Sequence, residues 1–138
     1  MAQAQKAALA DFDKYLYATD RAILAGKPNL ISVGDLRIWL EHFGQDVVEQ
    51  TIIPRRTLMR RKARREKLTA DETDKAMRVA RISLHAERVF HGFERAHGWL
   101  TRPLAKFSGQ SPLDLLKTES GGKLVEQTLG QIEHGMFG

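Results

Sequence analysis

Thr69 and Glu72 stand three residues apart at the head of a segment that runs to about Phe90 and carries apolar side chains on most of its circumference. A Ser or Thr followed three residues later by Glu is the capping-box pattern: each side chain satisfies the backbone N–H of the other at a helix start. The spacing therefore predicts a long helix. On its wheel Arg78, Arg81, His85 and Arg88 fall in one narrow sector, while Met77, Val79, Ala80, Ile82, Leu84, Ala86, Val89 and Phe90 cover much of the remainder. A helix apolar on so many sides has to be buried by more than one neighbour. It is expected to be the central strut of the chain or part of a dimer contact, and either role requires other helices around it.

The rest of the chain supplies them. Ala4 to Ala25 are mostly strong helix formers, stopped by Gly26 and Pro28. Ser32 is placed to cap a second helix carrying Val33, Leu36, Trp39, Leu40 and Phe43 up to Gly44, and Asp46 to Ile52 reads as a brief third. Pro54 suits the first turn of a fourth. Beyond Gly92, Phe93 to Leu100 form a short helix stopped by Pro103; Ser111 and Pro112 start another, and a last one begins near Glu119 or Ser120 with Gly135 at its end. In that last helix Leu124, Val125, Thr128, Leu129 and Ile132 share a sector and are expected to be core. No stretch alternates apolar and polar residues over strand length, so the expected fold class is all-α. A chain of 138 residues is long enough for one core or for two small helical modules sharing a long helix.

Charge is concentrated rather than spread. Between Ile53 and Lys67 stand eight basic side chains, Arg55, Arg56, Arg60, Arg61, Lys62, Arg64, Arg65 and Lys67, against the single acid Glu66. That net +7 exceeds the +5 of the whole chain, so everything else sums to −2. One basic patch of this kind points to nucleic acid or another polyanion at that place. The order short helix, tight turn, basic helix is that of a helix-turn-helix. About 100° per residue puts Arg56, Arg60 and Arg64 on one stripe, with Leu58 and Met59 expected to point the other way. Solvated charge runs are common, but seven net charges in fifteen residues favour a DNA-facing helix over a merely soluble one.

Other classes are set aside on residue types. There is no cysteine, hence no disulfide framework or thiolate metal site, and no apolar run nears the roughly 20 residues of a membrane span. The first residues carry Asp11 and Asp13 and no unbroken apolar stretch, unlike a secretory signal. A cytoplasmic protein is expected. His85, His91 and His97 recur every six residues, which spreads them over separate helix faces, so no metal site is expected. His42 and His134 stand alone, and Trp39 and Trp99 sit at core spacing. Neither a nucleophile elbow nor a P-loop nor a His-Glu-x-x-His pair occurs, and no catalytic residues and no cofactor are expected. Gly121 and Gly122 are a weak anion-site signal that the start of a helix explains equally well. Met136 and Phe137 follow a glycine and belong to no helix, so they either fold back or are buried by a partner.

Four motifs, in order, carry a family resemblance: PRRTLMRRK from Pro54 to Lys62, LTADETDKAMRVARI from Leu68 to Ile82, AERVF with RAHGWL between Ala86 and Leu100, and SPLDLLKTESGGKLVEQTLGQIEHGMFG from Ser111 to Gly138. With these the chain resembles the Xre/MbcA/ParS toxin-binding antitoxins, partners of RES-domain toxins. The first fifty residues carry no motif of that family, and the turn from Gln50 to Ile53 lacks a glycine.

The resemblance implies an N-terminal helical module with an Xre-type helix-turn-helix over 1–68 and a toxin-binding module over 69–138. It implies that Arg55, Arg56, Thr57, Arg60 and Arg61 are the recognition-helix motif, to which the charge stripe adds Arg64. It further implies that the last helix and tail, namely Leu129, Ile132, Glu133, His134, Met136 and Phe137, approach the toxin. The function so implied is that of a type II antitoxin that covers the active site of an NAD-consuming RES toxin and represses its own operon, as a homodimer on double-stranded operator DNA. The alternative is a stand-alone helix-turn-helix transcription regulator with no toxin.

Overall fold

The computed structural model describes residues 2–27 and 29–135, with side chains from Phe12 onward. Among them the chain forms α1 (Ala2–Leu24), α2 (Arg37–Phe43), α3 (Gln45–Thr51), α4 (Arg55–Arg64), α5 (Ala70–Phe90), α6 (Phe93–Thr101), a 3-10 turn (Ala105–Phe107), α7 (Pro112–Leu115) and α8 (Glu119–Glu133). The fold is all-helical; the β pairing among the described residues is an isolated bridge between Ser32 and Lys67. No helix among them is long and apolar enough to cross a membrane.

The starts of α5, α7 and α8 follow the side chains that cap them. The Thr69 backbone N–H donates to Glu72 Oε1 at 2.8 Å and the Glu72 N–H to Thr69 Oγ1 at 3.1 Å, completing the expected box at the head of α5. Ser111 and Asp114 make a second box around α7, and Thr118 Oγ1 accepts the Gly121 N–H at the start of α8. The second helix departs from expectation, starting at Arg37 instead of directly after Ser32. The Ser32 hydroxyl does accept the Asp35 N–H at 3.0 Å, but Ser32 itself is held extended by its bridge to Lys67, so the chain turns before it coils.

The chain packs as two compact units, residues 1–77 and 78–138, and α5 contributes residues to each. In the first, Phe12 of α1 meets Trp39, His42 and Phe43 of α2 at ring centroid distances of 5.0, 5.4 and 5.5 Å. Trp39 is wholly buried, and its indole N–H donates to the Ala76 carbonyl at 2.7 Å, which ties α2 to α5. A buried tryptophan of this kind is worth about 3–5 kcal/mol on truncation to alanine. Ile31, Val48, Ile53 and Leu68 complete this core, and the Leu68 N–H donates to Ile31 O at 2.8 Å.

The second unit is built on α5 and α8. Val79, Ile82, Leu116, Val125 and Leu129 are fully buried there. Beside this core runs a polar ladder: Arg78 with Glu119 at 3.3 Å, Arg81 with Glu126 at 3.1 Å and His85 with Glu133 at 3.4 Å. Both partners advance in the same direction, so these portions of α5 and α8 run parallel. The glycine pair serves two close approaches: a Cβ on Gly122 would lie 2.9 Å from Arg78 Cδ of α5, and one on Gly121 would lie 1.9 Å from the Leu115 carbonyl oxygen at the end of α7. Gly121 and Gly122 are thus fitted to packing.

Leu124 departs from the expected sector. It is 51% exposed, whereas Val125, Thr128 and Leu129 are buried. The inward face of α8 is centred on Val125 and Leu129, and Leu124 lies a quarter turn or more outside it.

Candidate nucleic-acid interface and partner-binding segment

The basic residues lie on α4, which starts after the extended Pro54 and ends at Arg65 in the left-handed region, φ 53°. None of its residues is buried. A ten-residue helix with no buried side chain cannot be held by hydrophobic burial alone. What fixes its inner side is Arg61. Its guanidinium, 14% exposed, donates to Glu66 Oε2 at 3.3 Å and to Glu72 Oε2 at 3.0 Å. Glu72 thereby closes the start of α5 and clamps α4 with one carboxylate.

This clamp changes the face that α4 presents. Arg55, Arg56, Arg60 and Arg64 are exposed, as the stripe predicts, and Thr57 is half-buried. Arg61, placed with the polyanion-facing residues on sequence, is turned inward and already paired. Met59, expected opposite the arginines, is instead 61% exposed among them, while Leu58 is half-buried. Burying a methionine is ordinarily worth about 1.5–3 kcal/mol, so this rotation of α4 gives up hydrophobic stabilisation for the Arg61 ion pairs. Arg64 approaches Glu66 at 3.9 Å with its side chain largely exposed, a contact that holds little. Arg55, Arg56, Arg60 and Lys62 have no carboxylate partner among the described residues. On the other flank, Leu58, Lys62 and Arg65 join Ser32, Val33, Arg37 and Leu40 around a cleft of about 600 Å³.

The segment expected to meet a partner is divided by the structure. Leu129 is fully buried and serves the core of the second unit; Ile132 is half-buried and His134 exposed. Glu133 is partly exposed and faces His85. Met136 and Phe137 lie outside the described residues. The three carboxylates of the ladder, Glu119, Glu126 and Glu133, recur every seven residues, a spacing visible in the sequence but without meaning until α5 supplies Arg78, Arg81 and His85 as their partners. Trp99 is half-buried and packs on Phe90 at 5.4 Å, and His97 stacks on Phe93 at 5.3 Å.

These features define an all-helical protein in which one unit displays a cationic helix and the other is a small bundle braced by ion pairs. Comparison with known proteins gives that class its family. Residues 85–135 match the family described as the Antitoxin Xre/MbcA/ParS C-terminal toxin-binding domain. Antitoxin Xre of Pseudomonas putida is 43% identical over 89 residues, 64% of this chain and 56% of that protein. Antitoxin Xre of Photorhabdus laumondii is 32% identical over 105 residues, 75% of this chain and 71% of the relative, and Antitoxin Xre of Yersinia enterocolitica is 29% identical over 106 residues, covering 76% and 72%. The chain belongs to the Xre/MbcA/ParS antitoxins. Its match spans just over half the length of the Pseudomonas relative.

Proposed function

We propose that the chain is the antitoxin of a type II toxin-antitoxin pair acting in the cytoplasm. Its C-terminal module, residues 69–138, covers the active site of a RES-type, NAD-consuming toxin, and its N-terminal module, residues 1–68, represses its own operon. Blocking an active site needs shape complementarity and no chemistry, so the antitoxin requires neither catalytic residues nor a cofactor. Ile132, Glu133, His134, Met136 and Phe137 are the contact residues of this reading, and Leu129 supports them from within.

The α3, turn, α4 order acts as the helix-turn-helix, with α4 in the major groove of operator DNA. The observation that carries this half is the outward set Arg55, Arg56, Arg60, Lys62 and Arg64, on a helix held inward by the Arg61 ion pairs and by no fully buried apolar side chain. A homodimer would present two such helices about 34 Å apart, one DNA turn.

Co-expression with the product of the adjacent gene, followed by co-purification and a gel shift on the shared promoter, tests both halves. Capture of a RES-domain protein, loss of its NAD consumption and a shifted promoter are the expected results. A promoter shift with no neighbouring toxin gene would instead favour the stand-alone regulator.

A further inference from the structure

Met59 is one of several large apolar side chains left exposed, and the one of them that lies on the cationic helix α4. On a helix surface the nearest neighbours of a side chain are those three and four residues away. For Met59 these are Arg55, Arg56, Lys62 and Ala63, and all are exposed. The middle of the cationic face is therefore an apolar patch, Met59 over Ala63, ringed by three cations. Local signals and packing diverge here: a methionine faces water while Arg61, two residues on, takes the inner position between Glu66 and Glu72. Departures from such consistency are expected where function is served.

The ligand for this surface must be anionic around its edge and apolar at its centre. A membrane surface asks for a broad apolar face, which one methionine does not provide. The major groove of duplex DNA meets both conditions. Its phosphates line the groove walls, and at its floor the 5-methyl group of thymine is the one apolar substituent that the base edges present. We propose that Met59, backed by Ala63, packs on a thymine methyl and makes α4 selective for thymine at that step, while the surrounding cations hold phosphates. This rests on the reading of α4 as a DNA-binding helix and adds a base preference to it.

The test uses the full chain and the DNA upstream of its own reading frame, amplified with either thymidine or deoxyuridine triphosphate. The two duplexes carry equal charge and differ only by the 5-methyl groups. Removing one buried methyl is expected to weaken wild-type binding about fourfold on the uracil duplex. Met59→Gln keeps the length of the side chain and, at so exposed a position, the fold; it is expected to bind both duplexes alike.

Equal affinity of the wild type for both duplexes, with salt-dependent binding retained, overturns the methyl contact and leaves DNA binding standing. A thymine preference that survives Met59→Gln also overturns it, assigning the reading to another residue. If Met59→Gln instead loses a co-purifying acidic protein at unchanged duplex affinity, the patch is a protein contact. Absence of salt-dependent duplex binding by the wild type removes the DNA reading and this proposal with it.

Discussion

The carboxylate of Glu72 accepts a 3.0 Å hydrogen bond from Arg61 while its other oxygen closes the N-terminus of α5. One side chain thus starts the longest helix of the C-terminal half and sets the rotation of the basic helix. Both groups are largely shielded, at 14% and 13% exposure, so their separation leaves a poorly solvated charge. Glu72→Ala is expected to lower stability by about 2–4 kcal/mol, combining the lost cap with the unpaired guanidinium. Denaturant unfolding checks this, and a shift below 0.5 kcal/mol would contradict it.

The same geometry separates the arginines by their salt dependence. Replacing Arg56 or Arg60 with glutamine should each reduce the slope of log K against log salt by about 1, because each releases about one counterion from DNA. Arg61→Gln should weaken binding through loss of positioning while leaving the slope within about 0.3 of wild type. Gel shifts across a salt series read both quantities, and an Arg61 effect on the slope as large as that of Arg56 would place Arg61 on the DNA.

Glycines of α8 should answer alanine in opposite senses. Gly121→Ala forces a Cβ to 1.9 Å from a backbone oxygen and is expected to cost about 3 kcal/mol or to unfold the second unit. Gly130 has nothing within 4 Å of its added Cβ, so Gly130→Ala should stabilise by about 0.5–1 kcal/mol. Midpoints of thermal unfolding for the pair check this, and equal shifts in one direction would contradict the close approach of Gly121 to the Leu115 backbone.

Alkaline pH should act through Tyr15. Its hydroxyl donates to the Asp35 carboxylate, and burial first, then that hydrogen bond and the carboxylate's charge, raise its pKa well above the ordinary value for tyrosine. The unfolded chain ionises Tyr15 near pH 10, whereas the folded chain keeps the proton. The stability contributed is therefore complete below about pH 9 and declines as pH rises through 10 and beyond. Wild type should be more stable than Tyr15→Phe at pH 8, with the gap narrowing by pH 11. A gap that stays constant over this range would show that the phenol is not held.

What the sequence made legible was the set of local stops and starts. Thr69 with Glu72, Ser111 with Pro112, and Pro103 after Leu100 act within a few residues, and their helices begin and end where those side chains dictate. Rotational phase was harder to read. Periodicity tells which residues share a face but, on a helix that buries nothing, not which face turns inward; the pairing of Arg61 with Glu66 and Glu72 decided that, and Met59 came out. Leu124 was misplaced for a related reason, since Val125 and Leu129 already fill the inner sector of α8. The ladder of Glu119, Glu126 and Glu133 needed a partner helix far away in sequence, a relation that spacing alone does not disclose.

If α4 is the DNA-binding helix proposed above, its outer face should engage several phosphates at once. Arg55, Arg56, Arg60, Lys62 and Arg64 project outward, so binding of the intact protein to its promoter duplex, followed from about 50 to 200 mM salt, should give a log–log slope of roughly −4 to −5 per α4 engaged. A slope near zero, with affinity unchanged across that range, would contradict it.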